Sequence, residues 1–195
     1  MKKTLFTLAL LAGFTEVAQA QRNVSLGLKA GGVYSSFTGA QASSYDGIFG
    51  FQAGVFANIG LTNLFAFQPE LLYSQEGAKV SGGDPTTRLN YVDVPLAFHI
   101  NTDGLFFEAG PQLGFLVTAK DESGSVSVDR KSGYNAVDFG YLFGLGYQRK
   151  RGPGLGLRYN GGFTNVEKAR TSGLVTVQNN IRNSAFQLYL TYSFE

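Results

Sequence analysis

The sequence predicts an all-β fold, an eight-stranded antiparallel transmembrane β-barrel connected as an up-and-down meander. Three observations favour this class: an export signal at the N-terminus, eight segments in which apolar and polar side chains alternate, and connections that alternate between short and long. No later stretch approaches the run of about 18 apolar residues that a membrane helix needs. An exported chain with strong alternation and no such helix is typical of a bacterial outer-membrane barrel.

The N-terminus has the layout of a secretory signal peptide. Two lysines precede an apolar run from Leu5 to Phe14, and Ala18-Gln19-Ala20 supplies the small-residue pattern of a cleavage site. We therefore expect a signal peptide at 1–20 and an outer-membrane β-barrel domain at 21–195. The chain contains no cysteine, which excludes disulfide bonds, thiolate chemistry and a cysteine-linked lipid anchor.

Charge and composition narrow the possible partners. The whole chain has 16 basic and 14 acidic residues, and removal of Lys2, Lys3 and Glu16 leaves 14 and 13. A nucleic-acid-binding domain would show a clustered basic face, so no nucleic-acid partner is expected. The 26 glycines and the aromatic content of 14% are high for a soluble domain and suit a membrane barrel.

The first four strands are predicted from alternation between outward apolar positions and inward polar or glycine positions. In the second strand, Phe49 and Phe51 alternate with Gly50 and Gln52. In the fourth, Val92 and Val94 face away from Asp93. Each segment reaches the length of about 9–11 residues that crosses a bilayer at a tilt. The segments are 24–37, 47–61, 64–80 and 91–100.

The last four strands show the same two faces. In the fifth, Phe107 and Phe115 alternate with Glu108 and Gln112, and Arg158 faces inward between Leu157 and Tyr159 in the seventh. The sequence places no charged side chain on the lipid side in the middle of a strand. This matters because Arg or Lys at the bilayer midplane costs about 2–4 kcal/mol on a barrel surface. The segments are 105–116, 135–148, 154–163 and 183–194.

The connections between these segments alternate in length. Outer-membrane barrels have short periplasmic turns and longer external loops, so we expect both termini in the periplasm of a Gram-negative bacterium. A soluble barrel of lipocalin type, with apolar side chains inside, is the alternative that fits this pattern less well. The short connections are 62–63, 101–104 and 149–153, and the long ones are 38–46, 81–87, 120–134 and 165–182.

Three prolines lie inside predicted strands, where a closed barrel offers no free edge for a residue that lacks an N–H group. Pro69, Pro95 and Pro111 therefore predict bulges or local breaks in the hydrogen-bond ladder. The spacing of Leu89 and Tyr91 suggests a change of outward parity, which marks another candidate bulge.

Several motifs along the chain resemble the PorT-like outer-membrane β-barrel family, a porin-family type common in Bacteroidetes. The resemblance implies a membrane barrel and makes the strand prolines family features, and it implies a link to secretion for some members. Asp93 stands where the family more often has Glu, and Glu195 follows the usual terminal aromatic residue. The motifs are FQPELLYSQEG at 67–77, YVDVPL at 91–96, EAGPQLG at 108–114, RYN at 158–160 and TN at 164–165.

Inward charged and amide residues form the candidate functional constellation, which we expect to share one lumen. The lumen of an eight-stranded barrel is about wide enough for side chains to fill it. Two interpretations remain open at this point: an ion-paired plug that holds the barrel shut, and a narrow polar conduit or small ligand site. The residues are Lys29, Gln52, Gln68, Glu70, Asp93, Glu108, Gln112, Asp138, Arg158 and Gln187.

Catalysis, metal binding and cofactors receive little support from the sequence. His99 is the one histidine and lies at the turn end of the fourth strand, without an obvious catalytic partner. We therefore expect no enzyme activity, no catalytic residues and no cofactor. Asp121, Glu122 and Asp129 are weak candidates for calcium in a loop, and a solvated loop is the favoured interpretation.

The favoured function is a structural or binding role through the external loops, and the family resemblance adds an association with secretion or surface machinery to this expectation. A narrow porin-like channel for ions or small solutes is the alternative, and an outer-leaflet enzyme is a distant third. The expected partners are outer-membrane lipid, the barrel-assembly machinery during insertion, and a protein of the surface or of a secretion complex. The barrel is expected to be a monomer.

Overall fold

The computed structural model describes residues 24–172, 175–177 and 179–194, so the predicted signal peptide at 1–20 lies outside the described residues. Short 3-10 turns occupy Ala42–Ser44 and Lys131–Gly133. Within the described ranges, no helix is long and apolar enough to span a membrane. The strands are β1 Val24–Thr38, β2 Tyr45–Gly60, β3 Phe65–Val80, β4 Thr86–Thr102, β5 Leu105–Ser123, β6 Val126–Asp129, β7 Val137–Gln148, β8 Gly152–Gly162, β9 Arg170–Ser172, β10 Val175–Val177 and β11 Arg182–Ser193.

Eight of these strands form one closed antiparallel barrel. The sheet runs β4-β3-β2-β1-β11-β8-β7-β5, and pairing between β4 and β5 closes it. Every barrel strand thus pairs with its neighbours in the chain, and β1 pairs with β11 to join the two ends. The prediction of an eight-stranded up-and-down barrel is confirmed.

The alternation seen in the sequence becomes two different surfaces. Phe49 is 79% exposed on the outer face, whereas its neighbour Ile48 is buried inside. Leu190 on β11 is 63% exposed, and the adjacent Tyr189 and Thr191 are buried. Because side chains alternate across a strand, one register satisfies both the lipid outside and the packed interior.

The shortest connection joins β4 to β5 through Asp103 and Gly104. Both residues have positive φ, 47° and 93°. This is the requirement of a type I′ turn, whose twist matches that of antiparallel strands and which favours an Asp-Gly pair. The other short connections are 61–64 and 149–151, and all three lie at one end, which we call the short-turn end. The opposite end is the loop end.

The loop end contains more strand than the sequence predicted. β4 begins at Thr86 and β5 continues to Ser123, so the connection 120–134 is not a loop throughout. β6 extends the sheet by pairing with the last residues of β5, and the connection 165–182 contains the β9–β10 pair. Cross-strand polar contacts stabilise these extensions, including an ion pair of 2.8 Å between Arg88 and Glu122. Periodicity did not predict them because most of their positions are polar and the alternation is weak.

Each strand proline lies at a gap in the ladder. The β2–β3 pairing lacks the rung of Pro69, the β3–β4 pairing that of Pro95, and the β4–β5 pairing that of Pro111, while the register is the same on both sides of each gap. The prolines are therefore ladder breaks rather than bulges, as expected for residues without an N–H donor.

The bulge between β4 and β5 lies where the spacing of Leu89 and Tyr91 suggested an irregularity, but on the other strand. Asn90 pairs with Thr118 and Tyr91 pairs with Leu116, so Val117 of β5 is the extra residue. Leu89 and Tyr91 both point inward, and the outward parity of β4 does not change.

Candidate functional site

The structure places all ten candidate residues on the inner face of the barrel. Eight are buried, and Gln112 and Asp138 are half-buried. They do not form a single network. One group forms ion pairs at the centre of the lumen, a second lies nearer the loop end, and Gln52 is isolated, since both polar atoms of its amide lack a hydrogen-bond partner.

The central group, which we call the ion-pair plug, consists of Lys29, Glu70, Glu108 and Arg158. The Nε and Nη2 atoms of Arg158 donate to the two oxygens of Glu108 at 2.8 and 2.6 Å. Nη1 and Nη2 donate to the oxygens of Glu70 at 2.9 and 2.8 Å. Lys29 Nζ donates to both Glu70 oxygens at 3.0 Å. All four side chains have 0% exposure, so the pairing is a condition for their burial.

Four different strands supply the plug, and a glycine makes room for it. Gly144 of β7 pairs with Glu108 on one side and with Arg158 on the other. A Cβ atom at Gly144 would lie 2.7 Å from Glu108 Oε1 and 2.6 Å from the carbonyl oxygen of Leu157. The missing side chain therefore leaves the space in which guanidinium and carboxylate meet.

Tyr189, Gln68 and His99 complete the surroundings of the plug. The Tyr189 hydroxyl donates to Glu108 Oε1 at 2.9 Å, and Lys29 Nζ lies 3.7 Å from the centre of its ring. Gln68 Nε2 donates to Glu70 Oε1 at 2.8 Å. The sequence prediction omitted Tyr189, although its parity with Gln187 on β11 could have identified it as inward.

The second group is an acidic layer formed by Glu76, Asp93 and Asp138. The Ser74 hydroxyl donates to Asp93, and Asn183 Nδ2 donates to Asp138 Oδ2 at 2.7 Å. A cavity of about 20 Å³, the size of one water molecule, lies among these residues. In the described part of the chain, no ion pair joins any of the three carboxylates to a basic side chain.

Replacing Asp93 with Asn should stabilise the barrel. The change keeps the shape and an acceptor for the Ser74 hydroxyl, and it removes a buried acidic group that lacks a cationic partner. We expect a gain of about 1–3 kcal/mol in the free energy of unfolding at neutral pH, measured by thermal unfolding in detergent. Asp46→Asn, on an exposed site, is the control. A lower midpoint for Asp93→Asn would show that the carboxylate is stabilising.

The loop end of the lumen is closed by a buried hydrophobic cluster, which we call the apolar cap. Three of its members come from the long connections, and backbone hydrogen bonds of 2.9 Å from Asn135 to Val166 and from Val166 to Ile181 hold them. Burial raises the pKa of Tyr134 to about 12. This apolar layer differs from the wholly polar lumen that the sequence predicts. The members are Phe37, Ala78, Leu89, Tyr91, Leu116, Ala119, Tyr134, Val166 and Ile181.

The short-turn end of the lumen is open and forms what we call the vestibule, with a volume of about 910 Å³. Its inner boundary includes Tyr189, Gln68 and His99, which also contact the plug. The three short connections contribute to its rim. From one end to the other, the lumen therefore consists of a vestibule, an ion-pair plug, an acidic layer and an apolar cap.

The remaining candidates have structural partners. His99 is buried, stacks on Phe106 with ring centres 4.8 Å apart, and lies 3.3 Å from Glu108 Oε2. Asp121 pairs with Arg130 at 3.4 Å, and Glu122 with Arg88. Asp129 Oδ1 accepts a hydrogen bond of 2.9 Å from the backbone N–H of Lys131. Among the described residues, no three acidic or histidine side chains are grouped so that they could hold a metal ion.

The sequence also matches a known family over most of its length. A family model described as "outer membrane protein beta-barrel domain" matches residues 17–168. The chain belongs to this family. An outer-membrane location therefore agrees with the closed barrel and its apolar outer face. A comparison with curated protein sequences finds no match.

Solved structures of bacterial surface barrels share the fold of this family member. Neisserial surface protein A is 16% identical, and the alignment covers 89% of this chain and 100% of that one with a TM-score of 0.58. Ail, the attachment invasion locus protein of Yersinia pestis, is 14% identical, with 89% and 100% coverage and a TM-score of 0.52. At these identities the likeness concerns the fold alone.

Proposed function

We propose that this outer-membrane barrel does not conduct solutes and acts through its loop end, by binding a protein of the cell surface or of a secretion complex. The observation that carries the proposal is that the lumen is filled at two separate levels, by the ion-pair plug and by the apolar cap. A closed interior leaves the rim and the loops as the surface available for function.

Moving the side chains of the ion-pair plug out of the lumen would cost much free energy. Arg158 binds the carboxylates of Glu70 on β3 and Glu108 on β5, and both would lose their guanidinium partner in a low-dielectric lumen if the side chain moved away. The cap adds an independent barrier, since water and ions would have to pass among Leu89, Tyr91 and Leu116.

The loop end offers an ordered surface for recognition. β5 and β6 project beyond the closed part of the barrel as a hairpin, with Val126 61% and Val128 46% exposed. An ion pair between Arg88 of β4 and Glu122 connects the hairpin, near its tip, to the neighbouring strand. A pre-formed projection loses less conformational entropy on binding than a flexible loop does, which favours a role in protein recognition.

Two finer aspects of the proposal concern orientation and subfamily. We place the short turns and both termini in the periplasm, on the general pattern of outer-membrane barrels. The motifs at 67–77 and 91–96 resemble the PorT-like family, and this resemblance supports secretion machinery as the source of the partner. Catalysis is not part of the proposal.

A narrow channel is the second candidate, because the vestibule already opens one end of the lumen. Single-channel conductance of the purified, refolded protein in a planar bilayer distinguishes the two. We expect no channel conductance from protein whose folding has been verified by heat-modifiable migration on a gel. Stable, reproducible conductance steps would contradict the closed-lumen proposal and make the channel the leading function.

Orientation and partner binding can be tested with one pair of variants, because the chain contains no cysteine. Ser127→Cys lies on the exposed β6, and Asn63→Cys lies in a short turn. In intact cells, a membrane-impermeant maleimide should label position 127 and not 63. A thiol-reactive crosslinker should then capture a protein at 127, and a secretion component would support the PorT-like assignment. Labelling at 63 alone would reverse the topology, and equal capture at both sites would contradict loop-end binding.

A further inference from the structure

The vestibule at the short-turn end has no part in the function proposed above. Its volume of about 910 Å³ lies within the range of small-molecule sites, roughly 300–1,000 Å³. We propose that the vestibule binds a small organic anion, a phosphate or carboxylate headgroup carried on an apolar or aromatic body. The inference does not depend on which side of the membrane the short turns face.

The rim of the vestibule is positively charged. Arg149 and Lys150 are exposed in the β7–β8 turn, and in the part of the chain that the structure describes neither forms an ion pair. Arg151 lines the cavity beside them. Asp103 is the one acidic side chain among the described lining residues. A cavity bordered by one sign of charge and enclosed by a low-dielectric wall concentrates ions of the opposite sign.

The walls suit an organic body rather than a bare inorganic ion. Phe56, Phe106 and Tyr189 contribute inward aromatic side chains to the lining of the cavity. Neutral hydrogen-bonding groups such as Asn101 lie between them. Aromatic walls with a few polar groups are the usual lining of a small-molecule site.

His99 supplies a polar atom near the inner end of the vestibule. Its Nε2 atom is buried and lies 3.3 Å from Glu108 Oε2 of the plug. A ligand that reaches this depth would contact the imidazole and the Phe106 ring on which it stacks. The plug beyond it makes the vestibule a terminal site rather than the entrance to a pore.

Electrostatic selectivity is the first part of the test. Asn101→Cys introduces a single thiol into the vestibule of a chain that has no other cysteine. We compare its rates of modification by anionic and cationic methanethiosulfonate reagents, normalised to a free thiol. The anionic reagent should be favoured about tenfold, and Arg149→Gln with Lys150→Gln should strongly reduce the preference. Ser127→Cys at the loop end is the control, and its ratio should not respond to these substitutions.

Ligand binding is the second part, and His99 is a natural reporter because it is the only histidine in the sequence. Phenyl phosphate, titrated into isotope-labelled protein in a neutral detergent, should shift the imidazole signals saturably. It should also protect the thiol at 101. The double variant Arg149→Gln and Lys150→Gln should weaken both effects about tenfold, and benzyl alcohol should be inactive.

Experiments in nanodiscs distinguish a lipid headgroup from a soluble anion as the ligand of the vestibule. If a lipid supplies it, discs containing phosphatidylglycerol should shift the His99 signals and reduce phenyl phosphate binding, compared with phosphatidylcholine discs. If neither kind of disc reduces phenyl phosphate binding, the natural ligand is a soluble anion. The proposal is overturned if phenyl phosphate produces no saturable shift, if benzyl alcohol acts equally, or if removal of the two rim charges leaves binding unchanged.

Discussion

Replacing Arg158 with Ala should lower the free energy of unfolding by about 3–5 kcal/mol, because it leaves buried carboxylates without their guanidinium. This corresponds to a drop in the thermal midpoint on the order of 10 °C for a chain of this size. The measurement is heat-modifiable migration or thermal unfolding in detergent. Arg88→Ala is the matched control. It breaks a pair whose side chains are 32% and 38% exposed, so its effect should stay below about 1 kcal/mol.

The geometry of the plug also predicts which second change rescues the first. Without Arg158, Glu70 keeps the Lys29 ammonium, whereas Glu108 keeps only the Tyr189 hydroxyl and the nearby His99. Adding Glu108→Gln should therefore recover part of the stability, and adding Glu70→Gln should not, because it leaves Lys29 unpaired. Equal effects of the two additions, or a stable Arg158→Ala barrel, would show that the plug does not hold the wall together.

Replacing Leu89 with Ala should cost about 2–5 kcal/mol, because the residue is completely buried in the apolar cap and its truncation leaves a cavity. Leu190→Ala is the control, since this side chain is 63% exposed on the lipid side, where detergent or lipid can fill the space. Thermal unfolding compares the two. A similar small loss for both would mean that the cap is not a packed core.

The same variant connects stability with conduction. Leu89→Ala alone should remain silent in a planar bilayer, because the plug is intact. If the two barriers act in series, conductance should appear only when Leu89→Ala is combined with Arg158→Ala. Conductance in Leu89→Ala alone would show that the plug is permeable to ions.

The barrel and its inner face could be predicted from the sequence because both depend on two-residue periodicity, a property of single strands. The assignment of Lys29, Glu70 and Arg158 to the interior needed nothing more. Which inward residues touch depends on the register between strands and on closure, and neither can be read from one strand at a time. Gln52 was therefore grouped with the plug, yet its amide lacks a hydrogen-bond partner, and Tyr189 was missed.

The structure of the loop end could not be predicted from the sequence, for a different reason. Tyr134, Val166 and Ile181 belong to connections without a repeating pattern, so nothing local marks them as members of a core. Most positions in the extensions of β4 and β5 are polar, so the alternation between an apolar and a polar face is weak there. Their pairing is evident only when Thr87 meets Asp121 across the strands, with a hydrogen bond of 2.8 Å.

The positions of the three strand prolines indicate that the lumen contacts also support the barrel wall. Their missing rungs fall in three successive strand pairs, so the wall from β2 to β5 is crossed by a line of weaker backbone connection. Glu70 follows Pro69 directly, and Gln112 follows Pro111. Their side chains bond across the lumen to Arg158 and Asn160 of β8 at 2.8 and 2.6 Å. These side-chain contacts connect the part of the barrel wall with missing backbone pairs to β8.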